Sequence, residues 1–293
     1  MNADTSQDKS GDFAEFLVNS RLEVIPLKNL QKQLDQLPQN SEVTVTCSPS
    51  KGLDKTLEIT EQLRKKDESL KIVPHIAARM VESERHLDDI LKELERQNVT
   101  DLFLPGGDIE SPAGEFSSSL ELLKVLSKKD HSLQEIGVTA YPEGHPLIET
   151  DVLYEALQEK QEYAHYMITQ MCFDHETILN WFRDVRQRGV TMPAYIGIPG
   201  AVDRKKLLEI SLKLGIGQSV SFLRKNMSLV KTFLGGSLAA TTDGLLQELL
   251  PACSNEELNV RGFHIYTFNQ IGSTVKWWEE KISAAKKGES ITS

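Results

Sequence analysis

Glu135–Pro146 reads EIGVTAYPEGHP. Ile136-Gly137-Val138-Thr139-Ala140 is a short apolar run of strand character, and it stops at once in Tyr141-Pro142-Glu143-Gly144-His145-Pro146. Two prolines and a glycine end the strand and set polar and aromatic side chains just past its carboxyl end. In parallel α/β proteins that end of a strand carries the chemistry. One such segment is compatible with an ordinary strand-to-helix loop; its recurrence along the chain is what decides the fold.

Working outward, the same pattern repeats. Arg21–Pro26, Glu42–Cys47, Lys71–Ile76 and Asp101–Leu104 read as strands before it. Tyr166–Phe173, Ala194–Ile198 and Phe263–Phe268 read as strands after it. Helical segments follow the strands: Leu27–Leu37, with leucines at helical spacing, Leu53–Lys66, Ser83–Gln97 (with Ser83 as its cap), Ser118–Lys128, Asp151–Tyr163, His175–Arg188 and Asp203–Leu214, with Ser273–Lys286 closing the chain. An excursion from Gly217 to Cys253 adds two helical patterns split by Gly235-Gly236. Strand and helix alternating about eight times predicts parallel strands joined by right-handed crossovers. The fold expected is α/β, a single (β/α)8 barrel over residues 13–293, with the helical excursion between strands seven and eight. An open doubly wound sheet is the competing architecture, and the absence of GxGxxG after a first strand removes the main sign of a dinucleotide-binding sheet.

Composition narrows the class. A chain of 293 residues, 39% hydrophobic and 26% charged, is ordinary for a soluble globular protein and long enough for one barrel. A formal charge of -10 argues against a nucleic-acid-binding surface. No apolar run has the length of a membrane span, and the polar N-terminus lacks the apolar core of a secretory signal. Residues 1–12 are expected to be a disordered leader. Cys47, Cys172 and Cys253 are scattered and odd in number, so neither a disulfide framework nor a cysteine-rich metal site is expected, and a cytoplasmic location follows. No His/Cys/Asp/Glu group has metal-ligand spacing.

In a barrel the strand ends share one face. That collects Glu23, His75, Asp108, Tyr141, Glu143, His145, Gln170 and Tyr266. A carboxylate in the apolar first strand is costly without a purpose. An amide interrupting the sixth strand needs several partners, which makes Gln170 the hardest to explain as packing. His75 and Asp108 have bland alternatives, a satisfied structural histidine and a turn cap.

Taken in order, these motifs resemble the methylenetetrahydrofolate reductase family. The resemblance rests on Leu22-Glu23, Pro74-His75-Ile76, Gly107-Asp108, Ala140–Pro146, Ile168-Thr169-Gln170 with Phe173-Asp174, Ile198-Pro199-Gly200 and Phe263–Asn269. They run from strand one to strand eight, and YPEGHP and ITQ with FD are the most specific. The resemblance implies a barrel that reduces 5,10-methylenetetrahydrofolate to 5-methyltetrahydrofolate with NADH or NADPH, a step in one-carbon metabolism that feeds methionine synthesis. Glu23 matches the family's acid, and burial is expected to raise its pKa towards protonating the departing nitrogen. Asp108 matches the carboxylate that stabilises the cationic iminium. Gln170, Tyr266 and His75 match the folate-binding side, and Tyr141, Glu143 and His145 the cofactor-binding side.

The departures point to a flavin-free branch. Family members holding FAD usually carry Arg-Gly-Asp where this chain has Gly106-Gly107-Asp108, and basic residues in the fifth helix where it has Glu155–Lys160 with a single lysine. An anionic diphosphate loses its natural partners with such exchanges. Gln270 stands where an arginine often follows the asparagine of strand eight. Direct hydride transfer from nicotinamide to folate is therefore expected. An FAD-dependent ping-pong reductase, a folate-binding protein without reductase activity and an unrelated enzyme on the same scaffold are the alternatives. Small-molecule partners are expected, without nucleic acid or membrane, and self-association is left open.

Overall fold

A computed structural model of the chain describes residues 13–202 and 238–291. After a short helix α1 over residues 13–18 come β1 (Arg21–Val24), β2 (Glu42–Val45), α2 (Gly52–Lys66), β3 (Lys71–Pro74) and α3 (Glu84–Arg96). They are followed by β4 (Asp101–Leu104), α4 (Ser119–Leu126), β5 (Glu135–Ala140), α5 (Thr150–Lys160), β6 (Tyr166–Thr169), α6 (His175–Gln187) and β7 (Ala194–Pro199). The described chain ends with α7 (Leu238–Cys253), β8 (Val260–Tyr266) and α8 (Ile271–Lys287). The expected leader, the helix over Asp203–Leu214 and the first part of the excursion lie outside the described residues; α7 is its last part.

The strands form one sheet in the order β3-β2-β1-β8-β7-β6-β5-β4, every pair parallel. A parallel bridge between His75 and Phe103 brings the outer strands β3 and β4 together. Beyond it, the amides of Ile76, Ala78 and Arg79 donate to the carbonyls of Phe103, Pro105 and Gly106, each at 2.9 Å. Eight strands in that order, closed in this way, are the expected (β/α)8 barrel.

The two-residue period of the strands separates an outer core from an inner one. Leu102, Leu104, Met167, Ile196 and Ile198 belong to the large cluster with helix residues such as Leu91, Leu94, Leu122 and Phe182. Phe103, Tyr166, Ile168 and Tyr195, with Val73, form a separate cluster inside the barrel. Gly137 makes room there, because a Cβ at that position would lie 2.1 Å from the Tyr166 ring.

The amino-terminal end of the barrel is closed by charge. Arg21 has no exposed surface and stacks between Tyr166 and Tyr195, its guanidinium carbon 4.2 and 4.1 Å from the two ring centres. Its Nη2 donates to Asp101 at 2.9 Å, and Glu42 pairs with its Nε. Tyr166 donates its hydroxyl proton to the other Asp101 oxygen at 2.7 Å. Burial pushes the Asp101 carboxyl up to about 6, against the pull of Arg21 and of the tyrosine hydroxyl. The plug fills the amino-terminal end of the barrel interior.

Local signals explain most element boundaries. Ser83 accepts a hydrogen bond from the His86 amide and caps α3 as expected, and Ser118 does the same for α4 through Glu121. One expectation is corrected: Leu27–Leu37 is not a continuous helix but two 3-10 turns, Leu30–Lys32 and Leu34–Gln36. Leu30 and Leu34 are both buried, so the leucine spacing found the right buried positions although the chain winds more tightly between them.

Candidate active site

Glu23 is the third residue of β1, and its register partners across the two neighbouring strands are Thr44 and Tyr266. It is 8% exposed. Its Oε2 lies 3.1 Å from Nε2 of His264, a fully enclosed residue two positions before Tyr266 on the same face of β8. Burial pushes the Glu23 carboxyl up, but the His264 hydrogen bond and charge, aided by His75 and Thr46, outweigh it and hold the carboxyl below the usual glutamate range. This corrects the expectation of a raised pKa. The desolvation is present as foreseen; the histidine that reverses it was not foreseen. His264 also packs edge-on against Tyr266, with ring centres 4.8 Å apart.

The backbone beyond this pair is tied down. Phe268 and Asn269 have φ of 48° and 56°, a left-handed region costly for residues other than glycine. Asn269 offsets that strain with its amide: Oδ1 accepts from the Ile25 N–H at 2.8 Å and Nδ2 donates to the Ile25 carbonyl at 2.7 Å. Thr267 donates to the Glu23 carbonyl. The ends of β1 and β8 are therefore clipped together, which fixes Glu23 against His264.

The other expected residues fall into an inner and an outer set. His75 is inner: it is buried, edge-on to Phe103 with ring centres 4.7 Å apart, and 6.3 Å from the His264 ring. Burial lowers its pKa to about 4 despite the Glu23 charge, so it is neutral at pH 7. Its Nε2 has no partner among the described residues. Tyr266 is half-buried, its hydroxyl 3.4 Å from the Thr169 carbonyl, and it lies over Gly197 of β7. A Cβ at Gly197 would meet the Thr169 oxygen at 2.3 Å and the Tyr266 ring at 3.0 Å, so glycine is what lets the tyrosine lie across the mouth.

Asp108 and the β5 loop form the outer set. Gly107, with φ of 100° and Ala77 close beside it, turns the chain so that Asp108 stands exposed on the rim. Its charge acts on Tyr141 and His145, which pack edge-on with ring centres 5.2 Å apart. Burial raises the Tyr141 hydroxyl and lowers His145. Glu143 is pushed up to about 7, by burial first and then by the Asp174 charge.

Gln170 departs from its expected setting. It is exposed, one residue past the end of β6, with its backbone N–H donating to the Ala140 carbonyl at 2.8 Å. The argument from a buried amide fails, since the strand ends at Thr169; the position on the rim of the mouth stands. Cys172 is a buried thiol pushed up to about 12 by burial and by Glu143, and at that value it is no nucleophile. Among the described residues no group of three or more His, Cys, Asp or Glu side chains is arranged to hold a metal ion. No helix among them is long and apolar enough to cross a membrane.

The family model described as methylenetetrahydrofolate reductase matches residues 23–280. "Methylenetetrahydrofolate reductase 2" of Saccharomyces cerevisiae is 30% identical over 123 residues, 38% of this chain and 20% of that protein. "Probable methylenetetrahydrofolate reductase (NADH)" of Oryza sativa subsp. japonica is 26% identical over 196 residues, 59% of this chain and 32% of that protein. The chain thus spans less than a third of the length of these relatives. Among solved structures, a class V chitinase mutant from Cycas revoluta in complex with (GlcNAc)3 aligns over 92% of this chain and 99% of its own, with a TM-score of 0.50 and 10% identity. That likeness concerns the barrel alone.

Proposed function

The chain belongs to the methylenetetrahydrofolate reductase family, and from that membership and its site we propose that it reduces 5,10-methylenetetrahydrofolate to 5-methyltetrahydrofolate by direct hydride transfer from a nicotinamide donor. The observation that carries the reading is the enclosed Glu23–His264 contact of 3.1 Å at the mouth of a plugged barrel. The reaction needs a proton and a hydride on different atoms. Protonation of the bridging nitrogen lets its bond to the methylene carbon break, and the other nitrogen's lone pair forms an iminium. Hydride from the dihydronicotinamide then adds to that carbon, leaving a methyl group and an oxidised nicotinamide.

Glu23 alone, held below its usual range, is a poor store for that proton. The pair is a better one, because a proton shared along the Oε2···Nε2 contact belongs to both groups. Neutral His75 keeps a second positive charge away from the iminium. Asp108 on the rim supplies negative charge where the cation develops. Tyr266 gives the pterin a flat surface, Gln170 offers an exposed amide to its edge, and Tyr141, His145 and Glu143 face the nicotinamide donor.

The residues do not fit an FAD diphosphate. In the fifth helix the one lysine, Lys160, is the last of 11 residues, roughly 15 Å along the axis from Thr150 at the loop end. Gly106 occupies the arginine position at β4. No step is therefore assigned to a flavin. Initial-rate kinetics with folate and nicotinamide both varied test the reading: intersecting lines are expected for a ternary complex. Parallel lines with a yellow protein that releases FAD would overturn direct transfer, and absence of folate-dependent nicotinamide oxidation would overturn the activity.

A further inference from the structure

Asp108 stands on a loop that a single arginine of the neighbouring strand end fastens down. Residues 105–118 join β4 to α4 without regular structure, a length at which loops are usually functional or disordered. The start of the loop is stitched to the chain beyond β3, where the amides of Ala78 and Arg79 donate to the Pro105 and Gly106 carbonyls. Among the described residues no further backbone bond is made until Ala113, whose N–H donates to the Arg79 carbonyl at 2.8 Å. The Arg79 side chain spans that gap. Its Nε donates to the Ile109 carbonyl at 3.0 Å, Nη2 to the Glu110 carbonyl at 2.6 Å and Nη1 to the Ser117 carbonyl at 3.0 Å. One half-buried residue thus grips the chain on both sides of Asp108.

The carboxylate has no such grip of its own. Asp108 is exposed, and among the described residues no hydrogen bond or ion pair holds its side chain. Its place is set by the backbone alone. Before it, Gly107 lies against Ala77 and Arg79, where a Cβ would meet their own Cβ atoms at 3.0 and 3.7 Å. After it, the guanidinium is what fixes Ile109 and Glu110. Three carbonyls spread from Ile109 to Ser117 suit a rigid fork of donors, whereas a lysine ammonium offers a single point. Farther along, Glu115 donates to the Glu82 carbonyl at 3.2 Å and Phe116 is buried in the outer core, so the end of the loop has anchors besides Arg79.

A carboxylate stabilises a developing cation well only when its place is fixed before the charge appears. We propose that Arg79 is the positioning residue for Asp108 and acts on folate reduction only through that carboxylate. The inference rests on the hydride-transfer reading above, in which Asp108 supplies negative charge where the iminium forms.

Kinetics and proteolysis test it together. Arg79→Met should lower kcat by about tenfold or more while the folate KM changes by less than about twofold, and Asp108→Asn should show a similar loss. With Asp108→Asn in place, adding Arg79→Met should change kcat by less than about twofold, within the usual error of additivity. Arg79→Lys keeps the stem and the charge but not the fork. It should recover only part of kcat, and it carries the test if methionine impairs folding. A glutamate-specific protease reads the clamp without turnover, because the carbonyl of the Glu110–Ser111 bond is the one that Nη2 binds. Cleavage there should quicken by about tenfold or more in Arg79→Met and stay unaltered in Asp108→Asn. Losses that multiply in the double variant, unaltered kcat in either folded single variant, full recovery by lysine or unaltered cleavage would overturn the proposal. If the unaltered protein reduces no folate, the functional reading fails, and cleavage after Glu110 still decides whether Arg79 holds the loop.

Discussion

Replacing His264 with phenylalanine tests the shared proton directly. The variant keeps an aromatic ring beside Tyr266 and removes the Nε2 atom that lies 3.1 Å from Glu23. A hydrogen bond to an ionised group contributes about 1.5–3 kcal/mol. The Glu23 carboxyl should climb once that partner is gone, because burial is then opposed only by His75 and Thr46. The proton supply then rests on a lone carboxyl, which gives up its proton at lower pH than an imidazolium does. Folate-dependent NADH oxidation, measured across pH, should therefore fall off at lower pH in His264→Phe than in the unaltered protein, with a loss of about tenfold or more at neutral pH. His264→Gln makes the sharper comparison. It keeps an N–H donor near Glu23 and so keeps the carboxylate stabilised, but it carries no proton of its own. It should be less active at neutral pH than the phenylalanine variant, although it resembles histidine more closely. Unaltered pH profiles in both folded variants would refute the shared proton and leave His264 as packing.

Glu23→Gln should bind folate while losing about 10²–10⁴ in turnover, the usual contribution of a positioned acid, measured as kcat beside a binding titration; near-normal turnover would remove Glu23 from the mechanism. Gln170→Ala should raise the folate KM yet leave urea stability within about 0.5 kcal/mol, as expected for an exposed residue; a large stability loss with unaltered KM would show a packing role. Gly197→Ala should cost about 1–3 kcal/mol and raise the folate KM, because its Cβ displaces Thr169 or Tyr266; calorimetry and kinetics together check it. Arg21→Met strands Asp101 and Glu42 inside the barrel and should destabilise it by about 3–5 kcal/mol. Asp101 already titrates at about 6, above its unfolded value of 3.8, so its burden on stability grows as pH rises through that window. Without Arg21 the window extends upward, and the deficit in urea midpoint should be larger at pH 8 than at pH 5.

The barrel was legible because its signals are local. Strands such as β4, β5 and β7 are short apolar runs ended by glycine or proline, and Ser83 and Ser118 announce their helices at the cap. The leucines of Leu27–Leu37 misled in one respect, since buried positions three and four residues apart suit a 3-10 turn as well as an α-helix. In the site, Glu23, Asp108 and Tyr266 stand at strand ends as the alternation implies. His264 was readable in principle, being two residues before Tyr266 and hence on the same face of the strand. Its effect on Glu23 was not, because the 3.1 Å contact joins strands from opposite ends of the sequence and no spacing rule reports it. Gln170 went the other way: β6 ends at Thr169, which pairs with Ala140 of β5, and one residue decided between a buried amide and an exposed one.

The clip between Ile25 and Asn269 sets an order of events during synthesis. These residues are 244 positions apart, and Glu23 and His264 are 241 apart. A nascent chain on the ribosome has all of β1 through β7 outside before the strand that joins the first of them to the last is translated. Until then β1 and β7 each present an unpaired edge, the kind of surface that recruits other chains. Closure hides both edges and assembles the acid pair in one step. A product truncated before β8 therefore keeps both edges open and lacks the Glu23–His264 contact, so recognition of open strand edges by quality control would single out chains without that contact.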